Sequence, residues 1–358
     1  MPSSTYPPIF DGHNDTVLSL AQTGRSFFER SAVGHIDLPR AREGGLGGGF
    51  FAVYIRDPGL PETAVTDPAQ AEVVLRTYGD EKSWPEPMAL EYAQSAALGY
   101  LGRLLALEQA SEGQVRIVRT AAELQHCLEA GIFAMVLHFE GAEPLDAEGH
   151  ALEVFYAAGL RSVGLTHARR NRFAQGVPFK FPHPPDTGPG LTDLGRRLIR
   201  QLNRRRVMID LSHITERGFW DVAAISDAPL VATHSNAYAL TPSPRNLTDR
   251  QLDAIRDSGG VVGVNFHVGF LRADGGRDRN TPILRLVEHI DYLVQRMGID
   301  GVAFGSDFDG AIIPAEIGDA TGLPRLMGAL AARGYTGEDL RKLAHANWVR
   351  VLRMTWGA

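Results

Sequence analysis

The feature that most restricts this chain is a repeated one: short, almost wholly apolar runs, most of them ending in a polar residue and followed by an amphipathic stretch. Eight such runs can be read, at Pro8–Asp11, Gly49–Ile55, Ile132–His138, Leu160–Thr166, Val207–Leu211, Leu230–Thr233, Val261–Phe266 and Val302–Gly305. Runs such as Val207-Met208-Ile209-Asp210-Leu211 lack the alternation of a strand with one wet face, so they predict parallel strands covered on both sides. Thr192-Asp193 and Thr248-Asp249 open two of the intervening stretches and are helix-start signals, because a threonine oxygen can accept from an unpaired N–H of the first turn. Strand alternating with helix eight times predicts an α/β chain folded as a (β/α)₈ TIM-type barrel.

The rhythm breaks once, where residues 56–131 separate the second and third runs. This stretch is expected to hold a long helix near Pro87–Ala110 and a small strand at Gln114–Val118, and reads as an insertion in a single barrel domain spanning 1–358. Gly44 to Gly49 lacks a dinucleotide or P-loop fingerprint and predicts a tight turn before the second strand. The Pro-, Phe- and Gly-rich segment Arg169–Gly190 predicts a long ordered loop of the kind that serves active sites.

Composition removes several functions. With 36 Lys+Arg against 42 Asp+Glu, a net charge of −6, the chain lacks the basic excess of a phosphate-backbone binder, so no nucleic-acid partner is expected. No stretch approaches the ~18 apolar residues of a membrane span, and no basic start leads into an apolar run. Cys127 is the only cysteine, so no intramolecular disulfide can form. A soluble, cytoplasmic protein follows as the expectation. No Gly-X-Ser-X-Gly elbow occurs, which removes the common serine-hydrolase signature.

Chemistry collects at the C-terminal strand ends, which converge on one face of a barrel, the face that carries active sites in this fold. Those ends supply His13 and Asp15, Glu140, His167, His213, His234 and Asp307. A lone histidine at a strand end is usually structural, but six strand ends agree. His13 and Asp15 are two residues apart and would share a face in an extended strand, where both could grip one metal ion. His213 and His234 would serve a second ion, and Glu140 has two oxygens with which to bridge them. Nitrogen and oxygen donors without thiolate suit Zn²⁺ in a hydrolytic rather than a purely structural site, and would also take Mn²⁺, Fe²⁺ or Co²⁺. Asp307 could carry a proton from the attacking water to the leaving amine, although its Gly-Ser-Asp-Phe-Asp-Gly setting is also what a plain turn would contain. His138 shares a strand face with Glu140 and is read as a neighbour of the ligands at most.

Asp11-Gly12-His13-Asn14-Asp15, Glu140-Gly141, Asp210-Leu211-Ser212-His213, His234-Ser235-Asn236-Ala237, Pro244-Arg245-Asn246-Leu247 and Gly305-Ser306-Asp307-Phe308-Asp309-Gly310 resemble the renal (membrane) dipeptidase family of the amidohydrolase superfamily. His-X-Asp in place of His-X-His, and Glu140 in place of a carboxylated lysine, favour that branch. The resemblance implies two Zn²⁺ per chain, one on His13, Asp15 and Glu140, the other on Glu140, His213 and His234. It implies that a metal-bridging hydroxide attacks a dipeptide, including L-Xaa-D-Xaa, with Asp307 as proton shuttle. His167 would stabilise the oxyanion and Arg245 would bind a substrate carboxylate, with Tyr238 a weaker substrate-pocket candidate. A homodimer is what the resemblance implies for assembly. An amidohydrolase acting on a cyclic amide, lactone or β-lactam is the alternative on the same scaffold.

Overall fold

The apolar runs form strands because each has helix or barrel interior on both faces. The computed structural model describes residues 6–58, 73, 77–80, 82 and 84–357. Its strands are β1 (Ile9–Asn14), β2 (Leu46–Tyr54), β3 (Val115–Ile117), β4 (Phe133–Glu140), β5 (Leu160–Gly164), β6 (Met208–Asp210), β7 (Val231–Ala232), β8 (Val261–Val264) and β9 (Val302–Phe304). Eight of them pair in parallel in the order β1-β2-β4-β5-β6-β7-β8-β9, and the chain is a nearly closed (β/α)₈ barrel. β3 is the small strand expected inside 56–131: it pairs with Phe133–Met135 of β4 and leaves Leu137–Glu140 for β5. The expected long helix spans Leu90–Ala110, and its Ala93, Ala97, Leu101 and Leu104 join the same core cluster as the barrel strands. Residues 59–72 of that region lie outside the described residues.

Between β9 and β1 the barrel closes through the Asp11 side chain and a pair of backbone hydrogen bonds. The Asp11 carboxylate accepts from the Ser306 amide at 2.6 Å and the Ser306 hydroxyl at 2.7 Å. The Asp307 amide then donates to the His13 carbonyl at 3.0 Å and the Asp15 amide to Phe308 at 2.8 Å. The two ends of the sequence that carry His13 and Asp307 are thus stitched edge to edge.

The turn predicted over Gly44–Gly49 is confined to Gly45, the left-handed cap (φ 73°) of helix Leu38–Gly44, while Gly47–Gly49 lie within β2. Close approach explains them: a Cβ on Gly48 would fall 2.1 Å from the Ala134 carbonyl oxygen. Thr192 and Thr248 cap their helices as expected, accepting from the amides of Gly195 and Gln251.

Alternation along β4 sorts its side chains. Met135, Leu137 and Phe139 pack into the main cluster with the helices, whereas Ala134 and Val136 join Phe10, Phe50, Met208 and Trp348 in a second cluster. His138 and Glu140 share the register of that second face, so period-two geometry delivers them to the barrel interior. Trp348 fills the space beneath them, fully buried, its indole N–H donating to the Phe304 carbonyl at 3.0 Å. Trp348→Ala should lower unfolding free energy by about 3–5 kcal/mol, measured by denaturant titration, because the cavity cannot collapse inside a ring of strands. No helix among the described residues is long and apolar enough to cross a membrane.

Candidate metal centre and active site

The predicted metal ligands, with His167 and Asp307, stand at or just beyond strand ends, while Arg245 and Tyr238 lie further along the loop after β7. Glu140 ends β4, His234 follows β7 by two residues, and His167, His213 and Asp307 follow β5, β6 and β9 by three. His213 and Asp307 hold positive φ, 66° and 62°, a conformation costly for side-chain-bearing residues and common where a fold aims a group at a site. The extended pairing expected for His13 and Asp15 is modified. β1 stops at Asn14, and Asp15 caps helix Thr16–Thr23 with φ −101° and ψ 27°, yet its Oδ2 still lies 3.6 Å from His13 Nε2.

Glu140 Oε1 is the centre of the cluster. It lies 3.6 Å from His13 Nε2, 3.0 Å from His213 Nε2 and 3.5 Å from His234 Nε2. The Nε2 atoms of His213 and His234 are 3.0 Å apart, and the His13 and His234 rings stack at 3.8 Å. Donor atoms fall into triads within 4.8 Å of one another: His13/Glu140/His234, Glu140/His167/His213 and His13/Asp15/Asp307.

Electrostatics match a cation. Burial pushes Glu140 well above the usual carboxylate range, and Asp307 upward, with neighbouring carboxylates adding to both. Burial, with Arg245 and nearby imidazoles, keeps His167, His213 and His234 well below their usual range and hence neutral. Only His13 is driven the other way: burial opposes its charge, but Glu140, Asp15 and Asp307 outweigh it and raise it to about 10. Neither ring nitrogen of His13 has a hydrogen-bond partner among the described residues, nor does Nδ1 of His213. Buried neutral imidazoles and crowded carboxylates form a donor set that fits divalent cations.

A cleft of about 740 Å³, including its open mouth, leads to this cluster and is lined by Asp15, Glu140, His167, His213 and Asp307. Tyr54 packs on the His167 ring at 4.5 Å, and Phe179, from the loop expected to serve the site, lies 5.5 Å from His167 and 6.2 Å from His213. That loop is anchored by Arg169, whose buried guanidinium donates to Glu143 at 2.8 Å, Asp57 at 2.7 Å and the Ile55 carbonyl at 2.6 Å.

Arg245 is buried behind the cleft, donating to the His234 carbonyl at 3.0 Å and facing the Phe270 ring at 5.4 Å, and burial lowers it to about 10. Tyr238, on the same loop after β7, is half-buried, and its amide donates to the Leu247 carbonyl at 2.9 Å. His138 sits beneath the cluster, its Nδ1 2.8 Å from Ser162 Oγ, and burial lowers it to about 3. Sequence reasoning missed His267 and Asn265. His267 lines the cleft, and Asn265 donates from Nδ2 to Asp307 Oδ2 at 2.9 Å while its Oδ1 accepts from the His267 amide at 2.6 Å. Both lie just past the observed end of β8 at Val264, but the apolar run was read on to Phe266, which hid Asn265 inside it, while His267 directly follows that run.

Comparison with known proteins gives the family. The model of the membrane dipeptidase family (peptidase family M19) matches residues 4–356. The chain is 47% identical to dipeptidase AC, a metallopeptidase of family M19, with a TM-score of 0.90 over 98% of this chain and 99% of that one. It is 46% identical to a metallopeptidase from Rhodobacter sphaeroides solved with a phosphinate mimic of the dipeptide L-Ala-D-Ala, with a TM-score of 0.91 over 98% of this chain and 100% of that one. A protein in the pqqA 5′ region of Klebsiella pneumoniae is 56% identical over 69% of this chain and 91% of its own length. The chain belongs to the membrane dipeptidase family, peptidase family M19, and its barrel is that of a metal-dependent dipeptide hydrolase.

Proposed function

We propose that this protein is a zinc dipeptidase that holds two ions and accepts L-Xaa-D-Xaa dipeptides. The observation that carries the reading is Glu140 Oε1, within 3.6 Å of a nitrogen on each of three histidines from three strand ends. His13, Asp15 and Glu140 would hold one ion, and Glu140, His213 and His234 the other. When bound, such a pair makes hydroxide available from water near neutral pH and polarises the carbonyl under attack. Tolerance of a D-residue is supported by the 46% identical relative that binds a mimic of L-Ala-D-Ala.

The protein's own groups supply the rest. Asp307 takes the proton of the attacking water and passes it to the departing amine as the C–O bond forms and the C–N bond breaks. Its Oδ2 is engaged by Asn265, which leaves Oδ1 for the proton. His167, kept neutral by burial, donates an N–H to the carbonyl oxygen as it gains charge. Arg245 offers its fork to the substrate's C-terminal carboxylate, and its Nε has no partner among the described residues.

Arg245→Lys keeps a charge but loses the fork, so kcat/KM for a dipeptide should fall roughly 10- to 100-fold, the size of a charge-assisted hydrogen bond. Kinetics with the matching dipeptide amide check this, because the amide should respond far less. The substrate class is tested with a panel of L,L-, L,D- and D,L-dipeptides alongside lactones and cyclic amides. Turnover concentrated on L,L- and L,D-dipeptides is the expected result, and a marked preference for the cyclic compounds overturns it.

A further inference from the structure

Beneath the cluster, one buried carboxylate laces together the two strand ends that carry His213 and His234. Asp210 Oδ1 accepts from the Ser212 amide at 3.0 Å and from the Thr233 amide at 2.8 Å. Asp210 Oδ2 accepts from the Thr233 hydroxyl at 2.7 Å. The Thr233 Oγ1 is at the same time 2.8 Å from His234 Nδ1, and the His234 amide donates to Ser212 Oγ at 3.1 Å. Asp210, Ser212, Thr233 and His234 are all at most 2% exposed.

A hydroxyl has one proton. A carboxylate accepts, so the Thr233 proton is committed to Asp210, and the contact to the imidazole can only run from Nδ1–H to Oγ1. That leaves the Nε2 lone pair of His234 facing Glu140 Oε1 and His213 Nε2, 3.5 Å and 3.0 Å away. We infer that Thr233 is a positioning residue: through an Asp210–hydroxyl–imidazole relay it fixes the Nδ1–H tautomer of His234 and thereby makes Nε2 a metal donor. The inference rests on reading His234 as a ligand in the proposed site. Partners of this kind, set one layer outside the ligands, orient the ring and raise its basicity. Valine has the shape of threonine without the hydroxyl, so Thr233→Val removes the relay while filling the same space. Serine restores it.

The tautomer is read directly in the metal-free protein from long-range ¹H–¹⁵N correlations of ¹⁵N-histidine-labelled chain, with His234 assigned by its disappearance in His234→Asn. The expected spectrum shows His234 with the proton on Nδ1, in wild type and in Thr233→Ser, and a loss of that pattern in Thr233→Val. Zinc affinity, measured by competition with a chromophoric chelator, should weaken roughly 10- to 100-fold in Thr233→Val and stay near wild type in Thr233→Ser. A wild-type His234 protonated on Nε2, or unchanged zinc affinity in folded Thr233→Val, overturns the inference. If Thr233→Val does not fold, the wild-type and Thr233→Ser spectra still decide it. A chain with the Nδ1–H tautomer and Thr233-dependent zinc binding that hydrolyses no dipeptide would reject the dipeptidase reading and leave the relay standing.

Discussion

Glu140→Ala is expected to strip bound divalent metal from the chain and to lower dipeptide turnover at least about 10⁴-fold. The size follows from losing two contributions at once: electrostatic stabilisation of the developing charge, typically about 10²- to 10³-fold, and a correctly activated proton-transfer partner, about 10²- to 10⁴-fold. The reason lies in one atom. Three histidine nitrogens, from the ends of β1, β6 and β7, surround Glu140 Oε1 within 3.6 Å. Removing that carboxylate leaves His13, His213 and His234 without the anion between them. Glu140→Gln, which keeps the volume and discards the charge, should fail in the same way, since an amide cannot offer two anionic oxygens. Elemental analysis with steady-state kinetics on both variants measures the effect, and near-wild-type metal content in Glu140→Gln would show that the carboxylate is not shared.

Asp307→Asn is expected to behave differently, keeping its metal and its fold while losing about 10²- to 10⁴-fold in kcat, with little change in KM. Asparagine tolerates the left-handed backbone that Asp307 adopts at φ 62°, so the turn should survive. The turn is also held independently of Asp307. The Asp309 carboxylate accepts from Thr16 Oγ1 at 2.9 Å, Arg25 Nη2 at 3.0 Å and the His35 amide at 2.6 Å, while the Asp309 amide donates to His35 Nδ1 at 2.8 Å. What asparagine lacks is a site that can take and return a proton. Turnover unchanged with metal bound would remove Asp307 from the reaction and return it to the role of a turn residue.

The barrel was readable because parallel strands buried on both faces leave continuous apolar runs, and the site because a barrel gathers the residues that end those runs. His13, Glu140, His167, His213, His234 and Asp307 were legible in this way, each at or just beyond the end of a run such as Ile132–His138. Contacts set by packing were not. Arg169 binds Asp57 and Glu143, which are 112 and 26 residues away in the chain, and nothing local to Arg169 marks it as buried. Phe179 sits over His167 and His213 because its loop is tied to Arg169 and to the segment at His213, where the Val177 amide donates to the His213 carbonyl at 2.7 Å. Gly48 and Gly49 misled for a related reason: glycine signals a turn in isolation, and only the neighbouring β4 and β1 backbones show that these two are there to let strands approach.

The most direct test of the account takes the purified wild-type chain, determines its metal content, and follows hydrolysis of L-Ala-D-Ala before chelation, after it, and after zinc is restored. The account predicts two divalent ions per chain, activity that disappears with the metal, and recovery on re-addition. Dipeptide hydrolysis that persists in the metal-free protein, or a metal-loaded chain that turns over no dipeptide, would contradict it.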